Sequence, residues 1–103
     1  TQGNFLKAMK YILKKMQNKK NRKATFICSL SFKYPKKKIV NVVGKLSGTI
    51  SKKILGSKGF GYDPIFIPNG QVKTFGEISK NKKIKMDHRF IAFTKLKRKI
   101  KTL

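Results

Sequence analysis

The strongest constraint in the chain is an alternation of period two. Phe26, Cys28, Leu30 and Phe32 fall on one side of it and Thr25, Ser29 and Ser31 on the other. Successive side chains of a strand point to opposite faces, so residues 24–33 read as a strand with one apolar face. Tyr34-Pro35-Lys36-Lys37 is a turn, and Ile39 to Val43 is a second β-rich run, which makes 24–43 a hairpin. Lys45 to Ile50 reads as a shorter third strand, with Gly44 and Gly48 allowing bends or bulges.

Different periods flank this hairpin, and no internal repeat is visible. In residues 4–17, Phe5, Leu6, Met9, Ile12, Leu13 and Met16 recur at helical spacing, with lysines largely opposite and Asn4 as the expected cap. Asn18 to Lys23 is a polar, basic link. Residues 55–61 form a glycine-rich loop. Asp63 to Pro68 is an extended piece limited by prolines, and Asn69-Gly70 is a turn. Thr74 to Ile78 is short, and Ser79 caps a brief helical turn. The last helix starts at Asp87, whose side chain suits the positive helix end, and carries Phe90, Phe93, Leu96 and Ile100 on its apolar side.

The chain has 103 residues, 39% of them hydrophobic, enough for one modest core and one domain. No apolar run reaches the ~18 residues of a membrane span, so no membrane partner is expected. No secretory signal is expected either. The single cysteine, Cys28, makes no internal disulfide and fits a reducing, cytoplasmic setting. It reads as a packed small side chain rather than a nucleophile. The first residue, Thr1, points to a processed or truncated chain.

The net charge is +24, from 27 Lys and Arg against 3 Asp and Glu. Such a field attracts polyanions, nucleotides included. The cations are nearly all lysine, however, with only Arg22, Arg89 and Arg98 offering the planar fork that base readers use. The lysines are also spread along the chain, as a solvated surface or an AT-rich genome would spread them. A dedicated nucleic-acid-binding protein is therefore the alternative reading.

Two stretches concentrate chemistry. In Gly59-Phe60-Gly61-Tyr62-Asp63-Pro64-Ile65-Phe66, two glycines flank an aromatic ring and so let Phe60 approach a flat ligand, with Tyr62 and Asp63 beside it. The plainer reading is a tight turn whose Phe60, Ile65 and Phe66 enter a core. In the second, Lys83 precedes Asp87-His88-Arg89 at a helix start, where backbone N–H groups favour anions and polar acceptors. The plainer reading there is a capped helix with His88 and Arg89 facing solvent.

The string GFGYDPIF, followed by KTFGEIS, a lysine and DHR, resembles the C-terminal half of the inosine triphosphate pyrophosphatase (Ham1) family, and RKATF and GTI are similar to its pattern as well. The resemblance implies a mixed α/β fold, with a curved mixed sheet flanked by helices and a nucleotide in a cleft between two lobes. Residues 1–103 would be a single partial domain, its N-terminal half absent. It implies hydrolysis of the purine nucleoside triphosphates ITP, dITP and XTP to monophosphate and pyrophosphate with Mg²⁺, by a protein that is a homodimer at full length. By position, Phe60 would stack on the purine, Tyr62 and Asp63 would shape the base pocket, and Lys83, His88 and Arg89 would line it. Cationic donors suit a 6-oxo group, whereas the 6-amino group of adenine offers no acceptor.

Two positions depart from the family pattern. Asp87 stands where serine is commoner and Gly76 where alanine is usual, the latter reading as a minor change. The larger departure is that the phosphate loop and the metal-holding carboxylates of the family are missing. Only Asp63, Glu77 and Asp87 are acidic, and Glu77 has no evident partner. A convergent Mg²⁺ site needs more, so the 103-residue chain alone is expected to be inactive, with an unpaired sheet edge and an uncovered apolar face. An inactive truncated paralogue is the third reading.

Overall fold

A computed structural model describes residues 2–33, 35–36 and 38–102. Helix α1 (Gln2–Lys15) leads into the hairpin strands β1 (Lys23–Lys33) and β2 (Ile39–Ile50). The glycine-rich loop follows, then a 3-10 turn (Asp63–Ile65), strand β3 (Phe66–Pro68), the short helix α2 (Lys80–Lys83) and helix α3 (His88–Lys101). The strands form one antiparallel sheet in the order β1-β2-β3. No helix among the described residues is long and apolar enough to cross a membrane.

The alternation in β1 holds along its whole length: Phe26, Cys28, Leu30 and Phe32 turn inward, but each is only half-buried. Tyr34 and Lys37 of the expected turn lie outside the described residues. The two runs expected at 39–43 and 45–50 are one strand of 12 residues. Gly44 and Gly48 do not break it, because their role is to leave room. A Cβ at Gly44 would strike His88 O and Ala92 N of α3. One at Gly48 would strike Ile67 O and come within 2.7 Å of the Phe66 ring.

That close approach also decides which face of α3 is buried. Ala92 and Leu96 pack with Val42 over Cys28, Leu30 and Phe32. Phe90 and Phe93, expected inside, are 43% and 55% exposed. A helix lying on a glycine has space for an alanine beneath it, and its larger rings turn aside.

The second core cluster is aromatic. Phe26 stacks on Phe66 at 3.9 Å between ring centroids, and Phe66 on Phe75 at 5.7 Å, with Ile78 closing the group. Asp63 to Pro68 is not extended throughout: its first three residues make the 3-10 turn, with Pro64 set early, where its missing N–H costs nothing.

Helix α1 begins at Gln2, so Asn4 lies inside it rather than capping it. The helix stops where Asn18 turns left-handed, with φ of 64°. Met9 is its buried residue, while Phe5 and Leu6 stay partly exposed. Arg22 ties the helix to the sheet, donating to Met16 O at 2.7 Å, Ile50 O at 2.9 Å and Ser51 O at 2.7 Å.

Candidate functional site

The loop before β3 is fastened to the 74–78 turn. Thr74, fully buried, donates its hydroxyl to Leu55 O at 2.6 Å, and the Lys58 N–H donates to Gly76 O at 2.8 Å. Glu77 has a partner after all: its Oε1 accepts from the Thr74 N–H at 3.1 Å. Gly76 is not interchangeable with alanine here. A Cβ would lie 2.6 Å from Leu55 O and 2.7 Å from Pro64 Cα.

Within the loop, Gly59 and Gly61 have φ of 73° and 64°, a region side chains disfavour. A Cβ on Gly59 would also collide with Asp63 Oδ2. That oxygen is the hub of the site. It accepts from the Phe60 N–H at 3.0 Å and from Lys83 Nζ at 2.6 Å. Asp63 and Lys83 are both buried, so the pair is shielded from solvent. The same ammonium sits 4.7 Å from the Phe60 centroid and 5.7 Å from that of Phe75.

The Phe60 ring is 56% exposed, and Arg89 reaches it from the first turn of α3, its guanidinium carbon 4.0 Å from the ring centroid. Asp87 caps α3 by accepting from the Phe90 N–H at 2.8 Å. That cap fixes where His88 and Arg89 leave the helix. His88 lies edge-on to Phe26 at 5.0 Å, and its Nδ1 is buried with no hydrogen-bond partner among the described residues. Burial pulls the imidazole below its ordinary 6.5, against the opposing pull of Asp87 and with help from Arg89 and Lys83. At pH 7 His88 is therefore a neutral group and not one of the cations expected there.

The sequence-selected residues come together. Phe60, Tyr62, Asp63, His88 and Arg89 border one cavity of about 280 Å³. Lys83 opens instead onto a larger hollow that shares Phe60 and Arg89 with the first. Phe5 of α1 completes the smaller cavity, meeting Tyr62 edge-to-face at 5.5 Å. Sequence reading placed Phe5 only on the apolar side of a helix, and nothing local links it to a residue 57 positions away. Among the described residues no three His, Cys, Asp or Glu side chains gather as metal ligands. A planar aromatic, a stacked guanidinium and a neutral imidazole form a surface for a flat, polar ring.

The Ham1 family model matches residues 1–99. A dITP/XTP pyrophosphatase of Dictyoglomus thermophilum is 49% identical over 90 residues, which are 84% of this chain and 43% of that protein. One of Clostridium tetani is 37% identical over 100 residues, 97% of this chain and 50% of that protein. The solved structure of the Staphylococcus aureus Ham1 protein superposes with a TM-score of 0.86 at 33% identity, covering 91% of this chain and 49% of that one. The chain thus spans about half the length of the relatives it matches.

Proposed function

Since this chain belongs to the Ham1 family, we propose that it is the C-terminal, base-recognition half of a nucleoside-triphosphate pyrophosphatase acting on ITP, dITP and XTP. The observation that carries this reading is the Phe60–Arg89 stack at 4.0 Å, bordering one cavity with Tyr62, Asp63 and His88. Arg89 makes no hydrogen bond or ion pair among the described residues, so its donors are available to a 6-oxo group. Adenine presents a donor at that position and gains nothing from it. Phe60 and Tyr62 supply aromatic surface, worth about 1–3 kcal/mol per stacked base. Asp63 and Lys83 hold the loop that carries them.

The residues of this chain do not fit a Mg²⁺ site. Asp63 is taken by Lys83 and the Phe60 N–H, Glu77 by Thr74, and Asp87 by Phe90. In this reading the metal ligands and the phosphate-binding groups belong to the part of the family fold that the chain does not span. A homodimer and a cytoplasmic location of the whole enzyme complete the proposal, the latter in keeping with the free thiol of Cys28.

The test is equilibrium binding of ITP and ATP to the chain, followed by NMR shifts of Phe60 and Arg89. ITP binds in preference to ATP, and Phe60→Ala weakens ITP roughly tenfold or more, within the range of one stacked base. Equal binding of both nucleotides, indifferent to Phe60→Ala and steeply salt-dependent, would overturn it in favour of non-specific polyanion binding.

A further inference from the structure

A hollow of about 860 Å³ lies where the end of α1 meets the end of β2, and it shares no lining residue with the Phe60 cavity. Lys14, Lys19, Lys20 and Lys52 stand around it, all exposed, and Gln17 and Asn18 line it as well. None of these four ammonium groups has a hydrogen-bond or ion-pair partner among the described residues. The three carboxylates of the chain are committed elsewhere.

The backbone holds this hollow in shape. Asn18, with φ of 64°, turns the chain after the helix, and the Lys19 N–H donates to Met16 O at 3.0 Å. Buried Ser51 donates its hydroxyl to Lys53 O at 2.7 Å and so folds the turn that carries Lys52. Arg22 joins the two sides through its bonds to Met16 O and Ser51 O. Lys14 suits the negative end of α1, but Lys19, Lys20 and Lys52 lie beyond the helix and gain little from it. Like charges gathered in a concave site repel one another and focus a field that draws anions.

Tyr11 adds a flat surface. It is 62% exposed, one helical turn before Lys14, with Lys15 Nζ 5.5 Å from its ring centroid. A wet aromatic ring beside unpaired cations suits a nucleic-acid strand, whose phosphates take the charges while an unpaired base takes the ring. We propose that this hollow binds single-stranded nucleic acid, its phosphates on Lys14, Lys19, Lys20 and Lys52 and one base on Tyr11. A duplex keeps its bases stacked inside and offers Tyr11 nothing, and a flat membrane does not enter a concavity. The site is separate from the Phe60 cavity and does not rest on the pyrophosphatase reading.

Fluorescence anisotropy of a labelled uridine oligonucleotide of about 12 nucleotides, titrated with the full chain, tests the proposal. The chain binds it, and affinity falls as salt rises. Lys19→Gln/Lys20→Gln/Lys52→Gln weakens binding about tenfold or more and reduces the logarithmic salt slope by about 2, or roughly 0.7 for each lost phosphate contact. Lys97→Gln/Lys99→Gln/Lys101→Gln removes the same charge from the exposed tail of α3 and changes affinity less than about threefold. Tyr11→Ala weakens binding about fivefold or more with the salt slope unchanged, and Tyr11→Phe, which keeps the ring, restores it. All of these positions are exposed, so the variants retain the circular dichroism of the wild-type chain. Four outcomes overturn the proposal. The first is no binding by the wild-type chain. The second is equal losses from the two lysine triplets, which would assign binding to the charge of the whole surface. The third is indifference to Tyr11→Ala, or a loss with Phe60→Ala in its place. The fourth is polyphosphate or anionic lipid vesicles binding as tightly as the oligonucleotide.

Discussion

The two ends of the sheet share the same pair of strands and are finished in opposite ways. At the β3 end, residues 55–79 fold back over the sheet, and Phe66 and Phe75 are wholly buried in a stack with Phe26. At the hairpin end, among the described residues, only α3 covers the strands, and Leu30, Phe32 and Val40 stay half-buried around Val42, Ala92 and Leu96. The closed end is laced by hydrogen bonds within residues 55–79, such as Thr74 to Leu55 O and Lys58 N–H to Gly76 O. The open end depends on a single helix. The residues proposed to recognise the base sit at the seam, with Phe60 held by the closed end and Arg89 carried by the helix of the open one.

The largest expected effect separates a buried lysine from an exposed one. Lys83→Met strands Asp63 in the interior without its cation and costs about 3–5 kcal/mol. Lys95→Met, which removes an exposed bond to Val43 O at the open end, changes stability by less than about 0.5 kcal/mol. Urea unfolding of both variants measures the contrast, and equal losses would abolish it.

Next comes Gly76→Ala. The added methyl meets the Leu55 carbonyl and Pro64, so overpacking costs about 1–3 kcal/mol. A thermal melt that does not move would show the closed end to be looser than its contacts imply.

The smallest effect concerns His88, at the seam. Its folded value lies below the ordinary 6.5, so the unfolded chain takes up the proton first as pH falls. Stability is full above about pH 6.5 and declines below it, down through the folded value. Urea midpoints from about pH 8 to pH 5 should drop for the wild-type chain and flatten in His88→Gln. Identical profiles would mean that the ring is not held neutral by burial.

What was legible in the sequence follows the same division. The alternation of β1, the Ser79 and Asp87 caps and the Asn69-Gly70 turn are local patterns, and each is found where local pattern put it. Gly44 and Gly48 were misread because a glycine in a strand looks like a bend, while their reason is a helix and a strand arriving from far along the chain. The buried stripe of α3 was misread in part, at Phe90 and Phe93, for the same cause. Leu96 and Ile100 face the core as helical spacing expects, but the gap over Gly44 seats Ala92 beside them and leaves Phe90 and Phe93 outside. At the site, the glycine-flanked ring and the helix-start trio were evident from residue types. The inward turn of Asp63, the guanidinium on Phe60 and the wall made by Phe5 were not. Each joins residues 20 or more positions apart.

Arg22 shows what the scarcity of its kind means. It satisfies three carbonyls at once, spanning the end of α1 and the end of β2. An ammonium is a point charge on a flexible stem and does not reproduce that fork. In a chain where lysine is otherwise the default cation, this arginine acts as a rivet rather than a charge. Helix α1 hangs from it, and with the helix hangs Phe5. The far wall of the proposed nucleobase cavity is thus anchored by a side chain that never faces the cavity, and a swap that leaves the net charge untouched would let that wall swing.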